Sequence, residues 1–571
     1  MTIRPQSFPL LLALLLGSAC AGISAPQEQA RSTPANPAER LLELSQSDNR
    51  AMQHLRHLTK EIGPRLTGSE HYDRAAQWCV EQFRAWGLDA HLETFGELPL
   101  RFDRGPQRGR EIAPKTHDLV FQTRSWTRGT QGAVRARCVF EPESAEELTA
   151  HEKDYAGAWI VRRARRPRAE LRKAIEALLE KTPPAGILSG GGEQLVMSGN
   201  PRRPLAELMA RPVEIVLRRD HYDEIVASLS AGTAVELEFE IENHIVEGPV
   251  ACTNVVADLV GSEFPDEYVI VGAHLDSWDG AEGAQDNGTG VCSTLEAARL
   301  IASLGVKPRR TLRFVLFGGE EQGLLGSEGY VKTHAQELPR VSAVLVHDGG
   351  ENPIQGLDVT YAMYADVARV LAPLAALDRD RPVAVHEVMG LLNSEDSDHA
   401  PFLHEARAPA FFWNQSETGY ELVHHTQLDT FATVSGPDEE HNARVVAVAA
   451  FGLAQLDHAL DRTDSEALPT RKMGVAGFQD TAVRSVLPEG RAQQAGWQDG
   501  DVLLSVDGVA VSGRESLVRA INQGGPRKTI RLRRGATELD TVLDWSDDPD
   551  EPERSARAGR REAWLKAHPR P

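Results

Sequence analysis

Between Thr253 and about His458, short apolar runs alternate with segments whose apolar residues have helical spacing. Runs of about four to eight apolar residues bounded by glycine or polar residues are typical of strands buried on both faces. The apolar runs are Tyr268–Ala273, Leu312–Phe317, Val341–Val346 and Pro409–Trp413, and helical patterns occupy Gly290–Ser303 and Ser327–Leu338. This alternation predicts an α/β fold with a doubly wound, mostly parallel sheet, which binds its ligands at the carboxyl ends of its strands.

The composition limits the partners that a chain of this kind can have. Its 571 residues are enough for about four domains, at roughly 150 residues each. The formal net charge of −21 argues against an electrostatic grip on nucleic acid or on anionic lipid. No internal apolar run approaches the roughly 18 to 20 residues that a membrane span needs. We therefore expect no nucleic-acid partner and no transmembrane span.

The amino terminus has the pattern of a secretory signal, with one positive charge, a short apolar stretch and then small residues. We predict a signal peptide over 1–25 and a flexible leader over 26–38. Cys20 follows small residues, as at a bacterial lipoprotein processing site, but Gly17 stands where a large aliphatic residue is usual. Lipid attachment at Cys20 and release as a free protein stay as alternatives. We therefore expect export to the periplasm or cell envelope, or secretion.

Most of the predicted strands run into histidines or carboxylates at their carboxyl ends. These residues are His274 and Asp276, the pair Glu320-Glu321, His347-Asp348 and His424-His425, and Asp286 opens a helix between the first two strands. Two histidines, one bridging carboxylate and two terminal carboxylates give each of two metal ions a histidine and a carboxylate. Nitrogen and oxygen ligands without thiolate suit Zn²⁺, with Co²⁺ or Mn²⁺ as substitutes. One glutamate of the Glu320-Glu321 pair is left to take a proton from a water molecule shared by the metals.

The segments that carry these residues resemble the two-zinc exopeptidase family that includes bacterial leucyl aminopeptidases and plasma glutamate carboxypeptidase. The matching segments are Ile62–Gly68, His274–Asp279, Asp286–Gly290, Glu320–Gly323, Asp398-His399 and His425–Thr430. The resemblance implies that His274 and Asp348 bind one zinc, that Glu321 and His425 bind the other, and that Asp286 bridges them. It also implies that Glu320 is the general base and that Asp276 supports His274. His425 is chosen over His424 from the family's His-Thr-x-x-Asp-Thr register.

Two further units are expected around this domain. The peptidase domain is predicted in two parts, 39–113 and 249–460. Residues 114–248 form a β-rich insert that resembles a protease-associated domain. Residues 466–547 resemble the PDZ domains of bacterial envelope proteases, with Glu515–Ile521 as the groove helix and a peptide C-terminus as ligand. The charged segment 548–571 is predicted to be a disordered tail.

These observations predict an exported two-zinc exopeptidase that acts on peptides as an aminopeptidase or a dipeptidase. A carboxypeptidase of the same family is the first alternative, because the sequence does not fix which end of the peptide is recognised. Arg407 is a candidate for binding a free carboxylate, and the candidates for binding a free amine are Glu395, Asp396 and Glu417. A one-zinc glutaminyl cyclase and a non-catalytic peptide-binding protein are the remaining alternatives. The full ligand set, together with Glu320, argues against both of them.

Overall fold

The computed structural model describes residues 36–163, 167–375, 379–391, 397–416, 418–466 and 468–569. The predicted signal peptide and most of the leader lie outside this range. Within the described residues, no helix is both long and apolar enough to cross a bilayer.

The peptidase region is built on a mostly parallel central sheet, which confirms the predicted fold class. Its elements before the insert are α1 (Pro37–Ser47), α2 (Ala51–Arg56), a π-helical stretch (His57–Ile62), α3 (Glu70–Ala85) and β1 (Asp89–Ala113). After the insert come β8 (Glu236–Leu259), β9 (Phe264–His274), a π-helical stretch (Ala284–Gly288), α8 (Thr289–Ala302), β10 (Arg310–Phe317), α9 (Leu325–Thr333), β11 (Val341–Val346), β12 (Gly356–Thr360), α10 (Tyr364–Ala375), β13 (Ala384–Val388), α11 (Ala400–His404), β14 (Ala410–Phe412), α12 (Tyr420–Val423) and α13 (Gly436–Ala454).

In this sheet β14, β11, β9 and β10 are parallel neighbours, and β8 joins the edge at β10 in the antiparallel sense. Every residue of β10 and β11 is buried, as expected for strands covered on both faces. Helices α8 and α13 pack against β9, and α3 and α9 pack against β1 and β8. The parallel arrangement brings the carboxyl ends of β9, β10 and β11 to one edge.

The insert is joined to the peptidase region by the long antiparallel ribbon of β1 and β8. Its elements are β2 (His117–Asp118), β3 (Phe121–Thr123), β4 (Val134–Phe140), α4 (Ala145–Ala150), β5 (Trp159–Val161), α5 (Ala169–Lys181), β6 (Gly186–Gly190), α6 (Leu205–Ala210), β7 (Glu214–Leu217) and α7 (Arg219–Ser230). Strands β4 to β7 are parallel, and Trp159, Leu188 and Phe239 contribute to a separate hydrophobic core. The insert therefore contains layered helices as well as the expected strands.

The C-terminal unit is a six-stranded sheet with two short helices and its own core. Its elements are β15 (Phe478–Gln479), β16 (Ala482–Val483), α14 (Arg491–Gln494), β17 (Val502–Val506), β18 (Val509–Ala510), α15 (Arg514–Asn522), β19 (Arg527–Arg534) and β20 (Thr537–Asp544). Leu517 and Ile521 of α15 pack with Trp497 and Trp545 in this core. Helix α15 covers the segment predicted as the groove helix.

The prediction of a disordered tail over 548–571 is wrong for most of its length, because helix α16 spans Glu551–Ala567. Its charged residues have buried partners. Glu551 accepts hydrogen bonds from Arg471 at 2.7 and 2.8 Å, and Arg471 is 1% exposed. Arg557, 4% exposed, donates to the main-chain oxygens of Met389 and Asp464. A charged composition indicates disorder only when the charges stay in water, whereas here they are paired or hydrogen-bonded.

Candidate two-metal centre

Asp286 lies between two histidines, and each of its carboxylate oxygens faces one of them. Oδ1 is 3.3 Å from Nε2 of His274, and Oδ2 is 3.3 Å from Nε2 of His425. The side chain is 6% exposed, and Asp286 Oδ2 has no hydrogen-bond partner among the described residues. A carboxylate that presents its two oxygens to two imidazoles has the geometry of a ligand that bridges two metal ions.

One half of the centre is formed at the ends of β9 and β11. His274 is the last residue of β9, and its Nε2 is 3.1 Å from Oδ1 of Asp348, two residues after β11. His274, Asp286 and Asp348 have ligand atoms within 4.8 Å of one another. Separations of 3.1 to 3.3 Å between ligand atoms suit an ion bound at about 2.0 to 2.2 Å from each of them. His274 is 1% exposed, so the strands fix its position.

The other half is formed by Glu321, after β10, and by His425, after α12. His425 Nε2 is 2.8 Å from Oε2 of Glu321. His424 also faces Asp286, but its Nε2 is 3.9 Å from Oδ2 and its side chain is 47% exposed. The geometry therefore favours His425 as the ligand, although both histidines lie within reach of Asp286. Oε1 of Glu321 is buried without a hydrogen-bond partner among the described residues, which leaves it available to a cation.

The contacts of the His274 ring favour a positive charge between the imidazole and the carboxylates. Its Nδ1 is 3.0 Å from the main-chain oxygen of Asp276, which can only accept, so Nδ1 carries a proton. Nε2 therefore faces two carboxylate oxygens, and a lone pair there would be repelled unless a proton or a metal ion intervenes. Although burial opposes it, the Asp348 and Glu320 carboxylates raise the pKa of His274 well above its usual value. The donor set thus fits a pair of divalent ions.

The carboxyl group of Glu320 lies beside the same centre. Burial, together with the nearby carboxylates of Asp348 and Glu321, raises the pKa of Glu320 well above its usual value. Burial and the charge of Asp286 act on Glu321 in the same direction. Both shifts favour the protonated carboxyl group, and a bound cation would lower both pKa values again.

Asp276 holds the residues around the centre through both its main chain and its side chain. The main-chain oxygen contacts His274, as described above, whereas the carboxylate Oδ1 is 3.7 Å from Nδ1 of that ring. The carboxylate instead accepts from the main-chain N–H of Glu320 at 3.2 Å and from the hydroxyl of Thr67 at 2.8 Å. The side chain of Asp276 therefore fixes the turn that carries the two glutamates, in addition to its expected support of His274.

Comparison with known proteins identifies two parts of the chain. Residues 254–450 match the family described as "Peptidase family M28", and residues 483–534 match the family described as "PDZ domain". Residues 254–450 therefore form a peptidase domain of family M28. The chain is a metallopeptidase with a C-terminal PDZ domain, as the sequence predicts.

Relatives of this M28 peptidase cover most of its length. It is 28% identical over 432 residues to "Carboxypeptidase Q" of Mus musculus, covering 73% of this chain and 88% of that protein. The human "Carboxypeptidase Q" is 27% identical over 439 residues, with 73% and 88% covered. A solved M28 peptidase precursor from Shewanella amazonensis has a TM-score of 0.55 and 26% identity, covering 76% of this chain and 98% of its own.

Two residues of the M28 domain support the centre in ways that the sequence did not reveal. Asp429 accepts from the main-chain N–H groups of Ala284, Gln285 and Asp286 at 3.0, 2.6 and 3.2 Å. Arg65 is buried and donates to the main-chain oxygens of Leu275 and Gly283 at 2.9 and 2.7 Å. Both lie in segments that carry the family resemblance, but their roles depend on contacts across more than 140 residues.

Other residues near the M28 centre have structural contacts. His347 Nδ1 is 2.6 Å from the hydroxyl of Ser293, and the ring of His399 packs against Phe412. Arg407, considered as a group that could bind a substrate carboxylate, is 74% exposed and pairs with Glu466 at 2.8 Å. Glu395, Asp396 and Glu417, considered as groups that could bind a substrate amine, lie outside the described residues.

Proposed function

We propose that this M28 peptidase is an aminopeptidase or dipeptidase that uses two divalent metal ions, Zn²⁺ in the first place. His274 and Asp348 would hold one ion, Glu321 and His425 the other, and Asp286 would bridge them. The observation that carries the proposal is the division of the Asp286 oxygens between His274 and His425, each at 3.3 Å. Two ions held there would polarise the scissile carbonyl and lower the pKa of a shared water.

Glu320 is proposed as the general base. Its carboxyl group lies beside the ligands, and the main-chain N–H of Glu320 donates to Asp276. Glu320 would accept the proton from the attacking water and then deliver it to the nitrogen of the leaving amine. The surroundings that raise the pKa of this carboxyl group make it a stronger base for the first transfer and help it to hold the proton until the second.

Recognition of a free amino terminus is favoured by the charges around the centre. Asp276, Asp286, Glu320, Glu321, Asp348, Asp398 and Asp429 are carboxylates in or next to it. Two divalent ions would supply four positive charges against these seven groups. The bound ions would also lower the raised pKa values of these carboxyl groups, and the excess of negative charge that remains would attract an ammonium group and repel a terminal carboxylate. The ion pair of Arg407 with Glu466 also removes the cation considered for carboxylate binding.

A carboxypeptidase is the second candidate, because the relatives that cover 73% of the chain at 27 to 28% identity are named "Carboxypeptidase Q". A panel of dipeptides and tripeptides, each free, N-acetylated or C-amidated, separates the candidates. An aminopeptidase cleaves free and amidated peptides but not acetylated ones, and a dipeptidase requires both ends free. Cleavage of acetylated tripeptides with release of the C-terminal residue would instead establish the carboxypeptidase. Loss of hydrolysis with a chelator, and its return with Zn²⁺, tests the metal requirement.

Three further proposals concern the parts outside the centre. The PDZ domain is proposed to bind a peptide C-terminus by addition of a strand at a sheet edge. Residues 1–25 are proposed to direct export to the periplasm, cell envelope or medium, with Cys20 as the residue for a lipid anchor. Residues 114–248 are proposed to be a protease-associated insert between the two parts of the peptidase domain.

A further inference from the structure

The insert reaches the candidate metal centre through one short segment, Leu195–Met197, which we call the insert loop. Val196 forms an antiparallel bridge with Thr426, the residue after His425. The main-chain N–H of Met197 donates to the main-chain oxygen of His425 at 2.6 Å. We propose that the insert loop is a positioning element for His425, so that the insert completes one of the two metal sites.

His425 needs such support because it does not lie on a regular element. It has a φ of +56°, in the left-handed region that residues other than glycine rarely adopt. Its side chain is 33% exposed, whereas that of His274 is 1% exposed at the end of a buried strand. A strained backbone persists only where the surrounding structure holds it. The hydrogen bond from Met197 acts on the peptide group of this strained residue.

A second hydrogen bond joins the insert loop to the segment that follows His425. The main-chain N–H of Leu195 donates to Oε1 of Gln427 at 2.5 Å. Residues 425, 426 and 427 are therefore each held by one residue of the insert loop, in the manner of a short pair of antiparallel strands. Gln427 has no place in the proposed ligand set, so its contact with the insert serves the conformation of the segment.

The insert loop is itself fixed by the insert and by a small hydrophobic cluster. The side chain of Gln122, on β3, donates to the main-chain oxygen of Val196. Met197 is 4% exposed and belongs to a cluster with Trp126 and Trp278. It lies so close to Gly280 that a Cβ there would be 1.9 Å from the Met197 sulfur. The insert loop is thus held by β3 of the insert through Gln122 and by the cluster around Met197.

The two halves of the centre should therefore respond differently to changes in the insert. The His274–Asp348 half is built by β9 and β11, whereas the Glu321–His425 half depends on the insert loop. This inference rests on the metal ligands proposed above. Residues that orient a metal ligand commonly change metal affinity by about 10- to 100-fold when they are mutated.

The test measures Zn²⁺ binding by chelator competition on purified full-length protein, with the thermal midpoint of the metal-free protein recorded in parallel. Gln122→Ala removes the anchor within the insert, and Gln427→Ala removes the acceptor for Leu195. Gln107→Ala is the matched control, because the Gln107 side chain donates to Thr123 on β3 and to Asn243 on β8, and not to the insert loop. We expect Gln122→Ala and Gln427→Ala each to lower the affinity for one of the two Zn²⁺ ions about tenfold and to leave the affinity for the other unchanged.

A double-variant comparison shows whether the effect passes through His425. In a His425→Ala background, Gln427→Ala should change the affinity of the remaining ion no further, because the ligand it positions is gone. The inference is overturned if both glutamine variants bind two ions with wild-type affinity, whatever their thermal midpoints, or if the control weakens binding equally. If the wild-type protein binds no ion, the proposed metal ligands are wrong as well. This result distinguishes a failure of the proposed metal centre from a failure of the inference about the insert loop.

Discussion

Arg519, on helix α15 of the PDZ domain, donates a hydrogen bond of 2.5 Å to Asp358, on β12 of the peptidase region. Asp358 is 7% exposed and also accepts from the side chain of Asn414 at 2.8 Å. Gln523, next to the same helix, donates to the main-chain oxygen of Glu387 at 2.7 Å. The proposed groove helix of the PDZ domain is therefore docked on the peptidase through a charged pair that is largely removed from water.

Replacement of Arg519 should weaken this docking. In Arg519→Ala the Asp358 carboxylate stays buried and loses its cationic partner, which costs about 1–3 kcal/mol of stability. Differential scanning calorimetry should show a lower transition midpoint. Arg514→Ala is the control, because Arg514 lies on the same helix and is exposed, and its midpoint should stay near that of the wild type. Equal midpoints for the two variants would show that the pair contributes nothing to docking.

Glu320 and Glu321 should separate into a base and a ligand when each is replaced. Glu320→Gln keeps the shape of the side chain but cannot take a proton, so activity should fall by about 10²–10⁴-fold while metal content is retained. Glu321→Ala should lose activity together with one metal ion. Elemental analysis beside peptide hydrolysis measures both quantities. Near-full activity of Glu320→Gln would show that another group is the base.

Thr67 should affect catalysis without binding metal or substrate. Its hydroxyl donates to Oδ2 of Asp276, whose other oxygen accepts from the main chain of Glu320. In Thr67→Val the carboxylate loses this donor and the glutamate turn is less firmly held, so kcat should fall about tenfold with little change in metal content. Thr67→Ser keeps the hydroxyl and should restore most of the activity. If the serine variant is as impaired as the valine variant, the hydrogen bond is not the cause.

The sequence reveals four of the five proposed metal ligands because His274, Glu321 and Asp348 lie at or shortly after the ends of apolar strands and Asp286 precedes a helix. His425 follows helix α12 instead, and it was chosen from the register of the family motif. His274, Asp286 and Asp348 could be placed at one sheet edge from strand order alone, since parallel strands present their carboxyl ends together. Local patterns also located helices α8 and α9, which were predicted over Gly290–Ser303 and Ser327–Leu338, to within about five residues. These features follow from the spacing of apolar residues along the chain, which can be read from a single sequence.

The contacts that support the site were not predictable in the same way. Leu195 and Gln427 are 232 residues apart, and Arg65 and Gly283 are 218 residues apart. No local pattern records which residues meet across such distances. The prediction of a disordered tail was wrong for a related reason, because Glu551 and Arg471 form their ion pair only after folding brings them together. The sequence shows that a segment is charged, but only the folded structure shows which residues its charges pair with.

His334 should make the stability of the protein depend on pH. Its Nε2 is 2.8 Å from Oε2 of Glu93, its Nδ1 is 3.0 Å from Oε2 of Glu337, and its side chain is 15% exposed. Although burial opposes it, the hydrogen bond and charge of Glu93, together with Glu337, raise the pKa of His334 above its usual value. A raised pKa in the folded state means that folding favours the protonated imidazole. This stabilisation is complete below the unfolded pKa of about 6.5 and disappears as the pH rises through the folded pKa.

The pH dependence is best measured as a difference between the wild type and His334→Gln, which keeps hydrogen bonding but cannot be charged. The gap between their unfolding midpoints should be largest near pH 6 and should narrow towards pH 9, because only the wild type loses a charge there. His458→Gln is the control. His458 pairs with Asp366 at 2.9 Å, but its side chain is 59% exposed, so solvent screens the pair. The unfolding midpoint of His458→Gln should therefore stay close to that of the wild type at every pH. A gap for His334→Gln that stays constant from pH 6 to pH 9 would show that the imidazole does not bridge the two carboxylates as a cation.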